Sequence, residues 1–82
     1  MPLSELASED RVVGIRSVMR KLERGELRKV FLSRDAEAEL VLAVEEEALR
    51  RGVDVEWVEE SVLLGRACAI SRPAAAAGLR KS

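Results

Sequence analysis

KVFLS, residues 29–33, decides how the rest of the chain is read. Val30, Phe31 and Leu32 form a short apolar run with β-forming side chains, closed on both sides by polar residues. Such a run is the mark of a strand buried on both faces, as in a parallel sheet. Immediately after it, Asp35 can cap a helix running through Arg51, with Gly52 just beyond its end. Val41, Val44 and Ala48 share one helical face, with Leu40 beside it. Glu46→Arg50 and Glu47→Arg51 are i,i+4 pairs in the favoured order. Val53, Val55 and Trp57 then alternate with Asp54 and Glu56, which reads as a half-exposed strand. Residues 29–57 are thus a strand–helix–strand unit.

Working backwards, Ile15, Val18, Met19 and Leu22 follow the i, i+3, i+4, i+7 spacing of an amphipathic helix that begins after Gly14 and stops at Gly25. Val12-Val13 reads as a brief strand, and Ser4 as the cap of a short helix over residues 5–10. Working forwards, a helical turn or two covers residues 60–65, with Gly65 as its end. Ala67–Ile70 is expected as a further strand and Ala74–Leu79 as a last short helix. The expected fold is α/β, a small parallel or mixed sheet with helices on both faces, and residues 1–82 are expected to form one domain.

Composition narrows the function. The 82 residues include no His, no Tyr, one Trp, one Phe and one Cys. Without His, neither a Cys/His zinc site nor a His-activated nucleophile can be built. No glycine-rich phosphate loop is present. Two aromatics are too few for a base-stacking platform. No enzyme activity, metal or cofactor is expected. A lone Cys cannot make an internal disulfide, no apolar run reaches the ~20 residues of a membrane span, and the N-terminus is unlike a signal peptide. A cytoplasmic location follows as the expectation.

Cys68 has only apolar neighbours, Ala67, Ala69 and Ile70, and reads as a small buried hydrophobe. Glu45-Glu46-Glu47 point about 100° apart on a helix and cannot converge on one ion. They read as a solvated face.

Charge is segregated along the chain. Residues 11–34 hold eight Lys/Arg against two acids, residues 35–62 two against ten, and residues 63–82 four against none. The net charges are therefore +6, −8 and +4, and if the two basic blocks meet, they make a basic face. In GIRSVMRKLER, residues 14–24, Arg16, Arg20 and Arg24 follow one another at i, i+4, i+8 beside Lys21. The amides of a helix that begins at a glycine favour a phosphate, and arginine can fork onto guanine.

GIRSVMRKLERG, KVFLSRDA, VEWVEESVLLGRACAI and PAAAAGL together resemble the ribosomal-protein L-seven-Ae and L-thirty-e family, over about residues 4–79. The short bacterial members that bind kink-turn RNA are the most similar. The resemblance implies a three-layer α/β/α sandwich with a small mixed sheet of about four strands, in which the helix starting at Gly14 enters the RNA groove at tandem sheared G·A pairs. Arg16, Ser17 and Arg20 would reach base edges, and Lys21, Arg24 and Arg66 phosphates. The loop Ile70, Ser71, Arg72 and Pro73 would pack on the looped-out nucleotides. The family's Asn-Glu pair is here Arg16-Ser17, and its glycine after the cysteine is Ala69, read as a minor packing change. The lysines often found before LGxAC are replaced by Glu60, Ser61 and Val62. The expected partner is a structured RNA with a kink-turn or similar bent internal loop, ribosomal RNA included. No DNA or membrane partner is expected, and the protein should be a monomer. The alternative is a protein-interaction module that uses the acidic surface of residues 35–62.

Overall fold

Successive residues of the Leu27–Ser33 strand are buried against opposite helical layers, and this alternation organises the molecule. The structure, a computed structural model, describes residues 10–81. They run in the order β1 (Arg11–Val13), α1 (Ile15–Glu23), β2 (Leu27–Ser33), α2 (Ala38–Arg50), β3 (Asp54–Val58), α3 (Ser61–Ala67) and β4 (Ala76–Arg80). The helix expected over residues 5–10, capped by Ser4, lies almost wholly outside the described residues.

The four strands form one mixed sheet in the order β1-β4-β2-β3. β2 and β3 are parallel, joined through α2, while β4 is antiparallel to both β1 and β2. Val30 and Leu32 face the layer of α1 and α2, meeting Val18 and Leu22 from the first and Val41, Val44 and Ala48 from the second. Phe31 faces the other layer and packs with Leu64 and Cys68 of the α3 region and with Ala77 and Leu79 of β4. The expected three-layer α/β/α sandwich is what forms.

Four local expectations fail, each for a tertiary reason. Residues 74–79 do not make a helix: Ala76–Arg80 is strand β4, at the centre of the sheet. Alanine's helix preference is worth under about 1 kcal/mol per residue. A central strand instead satisfies its backbone on both sides, and small side chains suit this one because both faces are covered. At Gly78 a Cβ would lie 2.8 Å from the Leu27 side chain. Residues 67–70 are not a strand either. Ala67 closes α3, and Cys68 and Ala69 turn the chain.

Gly65 does not end α3 but sits within it, fully covered. Asp35, finally, does not cap α2, which begins at Ala38. Its carboxylate accepts from the Ser61 amide at 2.9 Å and so caps α3, across the top of the sheet. Two smaller differences accompany these. β2 begins at Leu27 with an irregularity at Arg28, and Arg50 pairs with Glu47 at 3.0 Å rather than with Glu46. The Glu47–Arg51 pair forms as expected, and that hydrogen bond holds the Glu47 carboxyl below its ordinary range.

Candidate nucleic-acid interface

Gly14 begins the site because its backbone does what another residue would resist. Its φ of 102° turns the chain sharply from β1 into α1. Its amide donates to the Ala76 carbonyl at 2.8 Å, tying the start of α1 to the start of β4. Among the described residues no side chain caps α1, and its first turn holds no acid, so the helix dipole makes this an anion-attracting end. Arg16 and Arg20 are exposed one turn apart. They rim an open groove of about 380 Å³ whose floor is Ile15, Met19, Leu40 and Ala43, between α1 and α2. Ser17 and Arg24 fall on the other flank of α1, by the 100° advance per residue.

The second part of the site is the loop at residues 70–73. Three consecutive residues after it are held by three different elements. The Ala74 amide donates to the Ser61 carbonyl at 3.0 Å, and the Ala74 carbonyl accepts from the buried Ser33 hydroxyl at 2.7 Å. Ala75 accepts from the Ser33 amide at 3.0 Å, and Ala76 from Gly14. The base of the loop is thereby fixed to α3, β2 and α1 together. Val62 and Arg66 join Ile70, Ser71, Arg72 and Pro73 around a hollow of about 210 Å³.

Both ends of this loop depend on small residues. A Cβ at Gly65 would lie 2.1 Å from the Arg72 carbonyl oxygen, so the loop rests directly on the α3 backbone. Ala69 is the one described non-glycine residue with a positive φ, 61°. The family's glycine at this point is therefore a backbone requirement rather than a packing preference, and alanine carries strain there. Ala69→Gly is expected to raise stability by about 0.5–1 kcal/mol, the relief of strain less the greater freedom of the unfolded chain. Urea denaturation checks this, and no change in the midpoint would remove the strain argument.

Cys68 is fully buried as expected, and burial pushes its thiol upward, away from the reactive thiolate.

The fold sorts the cations into two classes. Lys21 is held by Glu26 at 3.1 Å, Lys29 by Glu56 at 3.1 Å and Arg34 by Glu59 at 2.9 Å; Arg50 and Arg51 share Glu47. Among the described residues, Arg16, Arg20, Arg24, Arg66 and Arg72 have no carboxylate within ion-pairing distance. Five of the six cations singled out from sequence are thus left for an external anion, and Lys21 is the exception. Sequence reasoning missed Ser33 and Gly65. Ser33 carried a signal, as a lone hydroxyl closing an apolar strand, whereas Gly65 looked like an ordinary helix stop.

An α/β/α sandwich with an uncapped basic helix beside a stapled basic loop is a recognition scaffold, and comparison with known proteins gives its lineage. Residues 4–82 match the model of the ribosomal protein L7Ae/L30e/S12e/Gadd45 family, and the chain belongs to that family. An RNA-binding protein of Halalkalibacterium halodurans is 33% identical over 72 residues, 88% of each chain. An RNA-binding protein of Bacillus pumilus is 29% identical over 68 residues, 83% of each. Among solved structures, the Giardia lamblia 15.5kD RNA binding protein superposes with a TM-score of 0.88 at 27% identity, over 98% of this chain and 68% of that one. A Bacillus halodurans protein of unknown function shares the fold, with a TM-score of 0.86 at 21% identity over 98% of this chain and 84% of that one.

Proposed function

We propose that this protein binds RNA without catalysing a reaction, and that it recognises a kink-turn or similar bent internal loop, ribosomal RNA among the candidates. The observation that carries the reading is the stapling of residues 74–76 to α3, β2 and α1. It holds the uncapped start of α1 and the loop at residues 70–73 at one end of the molecule, with Arg16, Arg66 and Arg72 unpaired around them and Arg20, also unpaired, one turn further along α1. A bent RNA offers a groove and splayed nucleotides side by side, and a two-part rigid surface suits that shape.

The roles follow from donor chemistry. Arginine only donates, so Arg16 and Arg20 read acceptors such as guanine O6 and N7. Where the family has Asn-Glu, Ser17 is the one remaining side chain able to accept from a base. The set of guanine edges read is therefore shifted towards acceptors. Arg24 and Arg66 contact phosphates, and Lys21 can join them only by leaving Glu26. Ile70, Ser71, Arg72 and Pro73 cover the looped-out nucleotides by packing.

Titration against an RNA duplex with the internal loop, its G·A pairs intact or replaced, tests the reading. Intact RNA should bind at least about tenfold more tightly, as one lost guanine contact costs about 1–3 kcal/mol. With four to six phosphates neutralised, log K should fall against log salt with a slope near −4, from about −0.9 per contact. A flat salt response with equal binding of both RNAs would reject it. That outcome would favour a protein-interaction module, for which Leu42 and Leu49 stand 52% and 63% exposed among the glutamates of α2.

A further inference from the structure

We infer that the opposite end of α1 and β4 is a second nucleic-acid contact, in which Arg80 and Lys81 extend the phosphate contact of Arg24 along the backbone of a stem flanking the bent loop. This rests on the RNA reading above and adds a site to it.

α1 and β4 run side by side in the same direction, and a backbone hydrogen bond marks each end. Gly14 donates to Ala76 at the recognition end, and Lys81 donates to the Glu26 carbonyl at 2.8 Å at the other. Five residues of β4 at about 3.3 Å each separate the two ends by roughly 16 Å. That is about the length of six base pairs of an A-form RNA stem, at roughly 2.8 Å of rise each. A stem leaving the internal loop along α1 therefore passes the far end after about half a turn. Arg20 and Arg24 lie on the way, exposed, at successive turns.

The charge at this far end is unmatched. Arg24, Arg80 and Lys81 are exposed, and among the described residues none of them has an ion-pairing carboxylate. Nearby acids are engaged or turned away: Glu26 holds Lys21, Glu23 lines the groove towards α2, and Asp10, whose carbonyl accepts from the Arg80 amide at 3.0 Å, is itself engaged. A basic residue at the C-terminal end of a helix commonly serves only the helix dipole. That explanation covers Arg24 but not Arg80 and Lys81, which end a strand. The cations beside the acidic surface of residues 35–62 are paired, Lys29 with Glu56 and Arg34 with Glu59, whereas these three are left open to another partner. A phosphate backbone, one charge every few ångströms along the same line, is that partner.

The test uses the full chain with Arg80→Gln and Lys81→Gln combined, and Arg50→Gln with Arg51→Gln as a charge-matched control. RNAs share the internal loop, and each stem in turn is either about ten base pairs long or cut to three and closed by a stable hairpin. Wild type and the control should bind at least about fivefold more tightly when one particular stem is long, and be indifferent to the other. The Arg80/Lys81 variant should lose that preference, keep its affinity for the short-stem RNA, and show a salt slope shallower by about 1.5–2, for two fewer contacts. No dependence on either stem in the wild type, or a stem preference retained by the variant, would overturn the inference while leaving the RNA reading intact. Binding of neither RNA would overturn both.

Discussion

Replacing Arg16 and Arg20 together by alanine is expected to weaken binding of a bent internal loop about a hundredfold, at about 1–3 kcal/mol per guanine-reading arginine. Each single change should cost about tenfold. The two side chains stand exposed one turn apart along α1, Arg16 in its first turn and Arg20 in its last, neither pairs with a carboxylate among the described residues, and their loss leaves the buried Val18–Leu22 face untouched. The fold should therefore survive, and circular dichroism with urea denaturation would establish that before binding is measured. The gap between intact and G·A-substituted RNA should narrow as well, since the proposed guanine contacts would discriminate rather than merely attract. Arg50→Ala is the control: it removes the same charge, but from a residue committed to Glu47 on the acidic helix. At 0.1 M salt its influence is screened over about 10 Å. Equal losses from Arg16, Arg20 and Arg50 variants would mean nonspecific attraction, and no loss from any would remove RNA as the partner.

Those two arginines were legible in the sequence because helical periodicity is local. Ile15, Val18, Met19 and Leu22 define the buried face, and the arginines fall opposite or beside it without any tertiary knowledge. β2 was legible for a similar reason, since an apolar run bounded by charges has few other uses. The stretch from Gly65 to Leu79 was not. Its four alanines favour helix only weakly, and what makes Ala76–Arg80 a strand is the pair of neighbours, β1 and β2, that complete its hydrogen bonds from remote parts of the chain. Asp35 was misassigned on the same ground: a capping residue advertises its chemistry but not which helix it will serve, and the nearer one lost. Ala69 shows the limit from the other side. Its departure from the family's glycine was visible, but only the backbone angle turns that departure into strain. The loop at residues 70–73 was read as a contact surface through the resemblance alone, and the strand expected before it and the helix expected after it were wrong.

Gly65→Ala is expected to destabilise the protein by about 2–3 kcal/mol, in the range of overpacking at a buried position, and to weaken RNA binding tenfold or more. The sign is the diagnostic part. Within a helix, glycine to alanine ordinarily stabilises by about 1 kcal/mol, and Gly65 lies inside α3 with no positive φ to excuse it. Here the new methyl would meet the Arg72 carbonyl oxygen at 2.1 Å and its carbon at 3.1 Å. Both are backbone atoms and cannot swing aside. The loop cannot simply lift either, because Ala74, Ala75 and Ala76 are bonded to α3, β2 and α1 just beyond it. Displacing Arg72 therefore disturbs the surface proposed to face the looped-out nucleotides. Gly78→Ala separates the two effects. Its methyl would crowd the Leu27 side chain at 2.8 Å, in the core and away from the loop. It should lower stability while the folded protein keeps its RNA affinity. Urea denaturation and RNA titration of both variants decide the matter. A stabilised Gly65→Ala protein with unchanged affinity would show that α3 and the loop do not touch as described, and that the loop is aimed by something other than the glycine beneath it.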